Sequence, residues 1–280
     1  MAVCIMTDST SDFTIQQAQE LGVEIVRQKV RFGQQEYIDG VGLTPEEFYQ
    51  KLAQSDALPQ TAQVNPEEFC QAFRQALDRG DQVLGVFLSS DLSGTYQSAL
   101  AAREMCGGQG VFLVDSRSVT LGLNLLVRQA VALRDAGAGP EQIQRELEGL
   151  KGRTRLCAAV DTLKYLRMGG RLSGAAAALG GLLNIKPLVA VEQGKVEAVA
   201  KVRGQQAALQ WLEEQLERQK PDTQYPVIFG HSAAAQLCQD FSERVLPRLP
   251  GCVCHTAQIG SSVGTHVGPG AVGLAYIEAE

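Results

Sequence analysis

Short apolar runs alternate with helical stretches through the first half of the chain, and each run ends in a cluster of hydroxyls and carboxylates. Val3–Met6, Val83–Leu88 and Gly110–Val114 read as buried strands of a parallel sheet. They end at Thr7-Asp8-Ser9-Thr10-Ser11-Asp12, Ser89-Ser90-Asp91-Leu92-Ser93-Gly94-Thr95 and Asp115-Ser116. Helices are expected over Phe13–Leu21, Tyr96–Cys106 and onward from Ser116 to about Arg134. Thr44-Pro45-Glu46-Glu47 and Asn65-Pro66-Glu67-Glu68 each place a cap, a first-turn proline and an acid at the third position, which starts a helix. Val23–Phe32 reads as one strand and Leu58–Val64 as a loop.

The rhythm changes after Gly137-Ala138-Gly139-Pro140 and the helix Glu141–Leu150. Strand Thr154–Val160, short helix Asp161–Met168 and an Ala-rich helix after Gly174 come next. A hairpin follows, Lys186–Val191 with Lys195–Val202 about Gln193-Gly194, then the amphipathic helix Gln205–Lys220. Strand Pro226–Gly230, helix Ala233–Val245, strand Cys252–Ile259 and strand Val272–Glu278 complete the chain. The expected fold class is α/β, with an N-terminal parallel-sheet α/β domain over residues 1–152 and a C-terminal α+β domain over 153–280. Ligands of parallel sheets bind beyond the carboxyl ends of the strands, so the three polar turns should gather at one rim.

The 280 residues are 45% hydrophobic and 20% charged, enough for a sizeable core. Net charge −6 argues against a nucleic-acid partner. Seven cysteines without framework spacing suit reduced thiols, and no basic leader or membrane-length apolar run is present, which points to the cytoplasm. Cys252-Val253-Cys254-His255 splits its ligands across two faces of a strand, and no second pair completes a metal site.

The turn at Ser89–Thr95 carries the strongest chemistry. Unpaired N–H groups and the helix dipole at its mouth favour an anion, Ser90, Ser93 and Thr95 add hydroxyl donors, and Gly94 permits close approach. Simple N-capping accounts for the same residues. Gly230-His231-Ser232-Ala233-Ala234 resembles a nucleophile elbow, with Asp240 and His255 or His266 as partners for a serine hydrolase of acyl esters acting through Ser232 or Ser93. The Gly-rich stretch Ile259–Gly270 could cradle an anion through backbone N–H groups, with His266 facing a cleft. Arg155, Arg167, Arg171, Lys201 and Arg203 form a basic cluster in an acidic chain.

Several of these pieces, in order along the chain, resemble the DegV family of bacterial fatty-acid-binding proteins, which includes the FakB proteins. They are Thr7–Asp12, Gln60-Thr61-Ala62-Gln63, Ser89–Ser98, Asp115-Ser116, Leu166–Gly174, Asn184-Ile185-Lys186-Pro187-Leu188 and Gly264–Gly270. Ala62, Val64 and Asn124 depart from common family residues. The resemblance implies a long-chain fatty acid such as palmitate or oleate held between two domains, with no cofactor, no metal and no catalysis by the chain. Its carboxylate would be held by Thr61 and Ser93 in the Gly94-Thr95 turn, with His266 near. The FakB branch further implies a separate fatty-acid kinase that phosphorylates the bound acid and a functional role for Arg171. The local excess of basic residues in a chain of net charge −6 makes Arg171 and Arg203 the expected docking residues.

Overall fold

The computed structural model describes residues 2–173 and 184–280. The Ala-rich helix expected after Gly174, and Gly174 itself, lie outside the described residues.

In chain order the first half contains β1 (Val3–Asp8), α1 (Ile15–Leu21), β2 (Val23–Val26), β3 (Lys29–Phe32), β4 (Gln35–Ile38) and α2 (Pro45–Ala53). It continues with β5 (Gln60–Ala62), α3 (Pro66–Asp78), β6 (Gln82–Phe87), α4 (Thr95–Met105), β7 (Val111–Asp115), α5 (Thr120–Asp135) and α6 (Pro140–Leu150). The second half contains β8 (Thr154–Ala159), α7 (Lys164–Met168), β9 (Ile185–Glu192), β10 (Lys195–Arg203) and α8 (Gln205–Arg218). It ends with β11 (Val227–His231), α9 (Ala235–Val245), β12 (Cys254–Gln258), α10 (Ser261–Val267) and β13 (Val272–Ile277).

These strands form three sheets. The first is parallel throughout, in the order β2-β1-β6-β7. The second runs β10-β9-β8-β13-β11-β12 and is antiparallel except for the β11–β12 pair. The third is a small antiparallel sheet, β4-β3-β5. The expected α/β class with a parallel sheet and a mixed second half is therefore observed.

Three readings need correction. Val23–Phe32 is two strands in different sheets, because the Gln28 backbone N–H turns aside to donate to Ser9 Oγ at 3.1 Å. Part of Leu58–Val64 is strand rather than loop, since Gln60–Ala62 pairs with β3 and sets Thr61 opposite Val30. The Gly-rich stretch before Gly268 is largely helix α10. Two buried carboxylates hold its start: Asp12 Oδ1 accepts from Gly260 N at 2.9 Å, and Asp39 Oδ1 accepts from Ser261 N at 3.1 Å.

Helices α2 and α3 begin with the capping boxes that Thr44 and Asn65 foretell. Helix α5 is buried on every side from Thr120 to Val127, as expected of a helix apolar all round. It packs on β1 and β6 of the parallel sheet and on β8, β11 and β13 of the mixed one. One hydrophobic cluster accordingly contains Ile5 and Leu84 from the first sheet, Leu121 and Leu125 from α5, and Leu156 and Ile228 from the second. The turns after β1 and β6, the start of α5 and one face of the mixed sheet line the same space, whereas the Asp115-Ser116 turn after β7 does not reach it.

Candidate functional site

That space is a cavity of about 430 Å³, within the usual range for small-molecule sites. Its apolar wall comes from one face of the mixed sheet. Leu156 and Ala158 of β8 point into it, with Val189 and Val191 of β9 and Val196 of β10. Gly273, Ala158 and Val189 are cross-strand neighbours in one row. A Cβ at Gly273 would lie 2.5 Å from the Cys157 carbonyl oxygen and 2.7 Å from Ala158 Cβ. Small residues in this row keep the floor low, and Leu92, Val263 and Val267 supply further apolar surface.

The polar end is built by β5, the start of α4, and α10. Thr61 and His266 face each other, with Thr61 Oγ1 3.0 Å from His266 Nε2. Ser93 lies just before α4, where its Oγ accepts from Thr95 N at 3.3 Å and meets Thr95 Oγ1 at 3.0 Å. Arg171 turns inward to line the cavity, its Nε donating to the Leu92 carbonyl at 3.1 Å and Nη1 to the Gly169 carbonyl at 2.7 Å. Burial, and next the Arg171 charge, push the His266 imidazole down to about 4. It is neutral at pH 7.

The hydrogen-bond network assigns the proton positions. Among the described residues His266 Nδ1 is buried without a partner. An orphaned ring N–H is worse than an orphaned lone pair, so the proton sits on Nε2 and is donated to Thr61. The Thr61 hydroxyl is thereby free to donate into the cavity. The same logic holds on the other side: Gln28 Nε2 donates to Thr95 Oγ1 at 3.4 Å, Thr95 donates to Ser93, and Ser93 can donate onward. Two neutral relays thus leave the Thr61 and Ser93 hydroxyls free to donate into a cavity that the Arg171 guanidinium also lines.

Of the residues singled out from the sequence, Thr61, Ser93, Gly94, Arg171 and His266 line the cavity. Thr95 stands behind Ser93, fully buried, and orients it. Gly94, itself part of the cavity lining, has a second role. It makes room for Gln63, whose Oε1 would be 2.0 Å from a Cβ there and whose Nε2 donates to Ser98 Oγ at 3.1 Å. Ser90 faces away and donates to Asp115 Oδ2 at 2.6 Å. Arg203 ends β10, is exposed, and does not line the cavity. Gln28, a cavity residue, carries no signal in the sequence, and Gln63 enters only as part of the Gln60–Gln63 piece with no role of its own.

The hydrolase constellation is not assembled. Ser232 is fully buried, its Oγ accepts from Ala271 N at 2.8 Å, and it does not line the cavity. His255 contacts Arg128, and His266 belongs to Thr61. Asp240 is exposed and bonded to Gln236.

Comparison with known proteins agrees with this geometry. The family described as "Uncharacterised protein, DegV family" matches residues 2–279. The chain belongs to the DegV family. A DegV domain-containing protein of Deinococcus radiodurans is 42% identical over 98% of each chain. A DegV structure from Thermus thermophilus, described by its fatty-acid binding, shares 33% identity and superposes with a TM-score of 0.92 over 100% of both chains. A stearic-acid-binding protein from Eubacterium ventriosum shares 27% identity at a TM-score of 0.90, with 99% of this chain and 98% of the other covered. Among the described residues no helix is long and apolar enough to cross a membrane.

Proposed function

We propose that this DegV protein is a cytoplasmic carrier that binds one long-chain fatty acid, such as palmitate or oleate, between its residues 1–152 and 153–280, and presents the carboxylate to a separate fatty-acid kinase. The observation that carries the reading is a cavity of about 430 Å³ with an apolar sheet wall and hydroxyl donors at Thr61 and Ser93 in its lining. The fatty acids named for its structural relatives support it.

The energetics divide the work. Each buried methylene contributes about 0.8 kcal/mol, so a tail with ~14 of them supplies ~11 kcal/mol before ordering costs. The hydroxyl contacts, at roughly 1.5–3 kcal/mol each to a charged acceptor, orient the head group. Neutral donors leave the carboxylate oxygens nucleophilic, which suits a cargo that another protein phosphorylates. The chain itself supplies no catalytic group in this reading.

Titration of the delipidated protein with palmitate, oleate and the alcohols of equal length tests the binding. Saturable binding of the acids, tighter than of the alcohols, is expected; no binding of either acid overturns the proposal. Presentation to a kinase is tested with Arg203→Glu and Arg171→Glu. Arg203→Glu should leave the bound lipid intact and lower acyl-phosphate formation. Arg171→Glu should lower both, because Arg171 also lines the cavity. Normal turnover in both variants removes these arginines from docking.

A further inference from the structure

Cys70 and Cys106 lie on the segments that carry the two head-group hydroxyls. Cys70 is on the second turn of α3, which follows the Thr61–Gln63 segment after only Val64 and the cap Asn65. Cys106 caps the end of α4, the helix that starts two residues after Ser93. Their sulfurs are 3.0 Å apart, about 1 Å more than a disulfide bond requires. Cys70 is buried and Cys106 is half-buried, so an external reagent reaches Cys106 first. Gly107 and Gly108 follow with φ of 83° and 74°, and neither has an atom within 4 Å of where a Cβ would be. This end of α4 therefore has room for the small approach.

We propose that Cys70 and Cys106 are a reversible disulfide site, oxidised by a low-molecular-weight disulfide, and that the bond pins the Gln60–Val64 segment over the head-group end of the cavity. The Cys106 thiolate attacks one sulfur of R–S–S–R, forming Cys106–S–S–R and expelling one RS⁻. The Cys70 thiolate then attacks the Cys106 sulfur, forming the Cys70–Cys106 bond and expelling the second RS⁻. The two cysteine protons pass to the two leaving groups, so the products are one protein disulfide and two RSH.

Burial, and next the contact with Cys70, raise the Cys106 thiol to about 11, so the thiolate is scarce at pH 7 and the exchange is slow, quickening as pH rises. Once formed, the bond closes a loop from residue 70 to residue 106 and restricts the unfolded chain. In the folded state Gln63 already ties this segment to α4 through Ser98. Gln63 and Cys70 would then fasten it to α4 at two places. Thr61 and Gln63 line the cavity, so in this proposal ligand exchange requires this segment to open.

The test uses the full-length native protein in buffer poised with oxidised glutathione. Peptide mapping should find Cys70 joined to Cys106, with a mass loss of two hydrogens and a Tm higher by roughly 5 °C. Hydrogen exchange at Gln60–Val64 should slow, and bound fatty acid should leave roughly tenfold more slowly, until a thiol reductant restores both. Cys106→Ser, at a half-buried helix end, should show none of these changes. The proposal is overturned if the folded protein keeps both thiols, if the bond maps to other cysteines, or if exchange at Gln60–Val64 is unchanged by the bond. The release measurement rests on the fatty-acid reading, whereas bond formation and hydrogen exchange do not, so the two failures are distinguishable.

Discussion

Replacing Ser93 by alanine removes the last donor of the Gln28–Thr95–Ser93 relay and little else. Ser93 is half-buried at the cavity, and its loss leaves the apolar wall of β8, β9 and β10 untouched. A hydroxyl hydrogen bond to a carboxylate is worth roughly 1.5–3 kcal/mol, which corresponds to a loss of about ten- to a hundred-fold in affinity for palmitate or oleate. The fold should pay only a small cap penalty of about 1 kcal/mol, because the Thr95 N to Ser93 Oγ contact is long at 3.3 Å. Calorimetric titration of delipidated native and Ser93→Ala protein, with an acid and its alcohol, separates the head-group contribution from the tail. The acid should lose affinity and the alcohol should lose much less. Equal losses for acid and alcohol, or none for either, would refute an anion site at this turn.

The pH dependence of stability reports on His266. Its pKa falls from 6.5 to about 4 on folding, so the folded state prefers the neutral ring. The stability from this preference is complete above pH 6.5 and is lost as pH falls toward 4, amounting to about 3 kcal/mol at 1.36 kcal/mol per pH unit. Urea unfolding of delipidated protein at pH 7.5 and 4.5 should show a drop that is smaller in His266→Gln, the remainder coming partly from His231 and His255, which burial also shifts down; matching drops would contradict the assignment. Asp12 behaves in the opposite sense, since burial raises it to about 8 and its contribution is lost as pH rises from the usual carboxylate range through 8. Asp12→Asn should therefore gain stability relative to the native protein between pH 6 and 9, and a constant difference would count against it. Ala158→Phe fills the low row beside Gly273, so palmitate should lose about fourfold in affinity for each methylene it excludes while decanoate is spared. Unchanged chain-length preference would place the tail elsewhere.

Apolar runs ending in hydroxyl clusters made the parallel sheet and its rim legible, because strand length, strand–helix alternation and turn chemistry agree there. The Ser93 turn was legible for the same reason. What was missed depends on partners remote in sequence. Helix α10 contains two of its own hydroxyls at the start yet takes its caps from Asp12 and Asp39, more than two hundred residues earlier, which no local pattern signals. The β5 strand is three residues long and exists because β3 offers an edge. Gln28 and Gln63 are ordinary polar residues until the fold brings one under Thr95 and the other over Gly94. Gly94 lines the cavity, and its second role, making room for Gln63, has no local signal. The hydrolase motif at Ser232 was a local resemblance without the spatial partners that catalysis needs.

Mass spectrometry of an organic extract of the gently purified protein tests the carrier reading most directly. A tail contributing ~11 kcal/mol before costs should keep its ligand through purification, so about one long-chain acyl group per protein is expected. An extract without acyl chains, from protein that also fails to take up added palmitate or oleate, would contradict it.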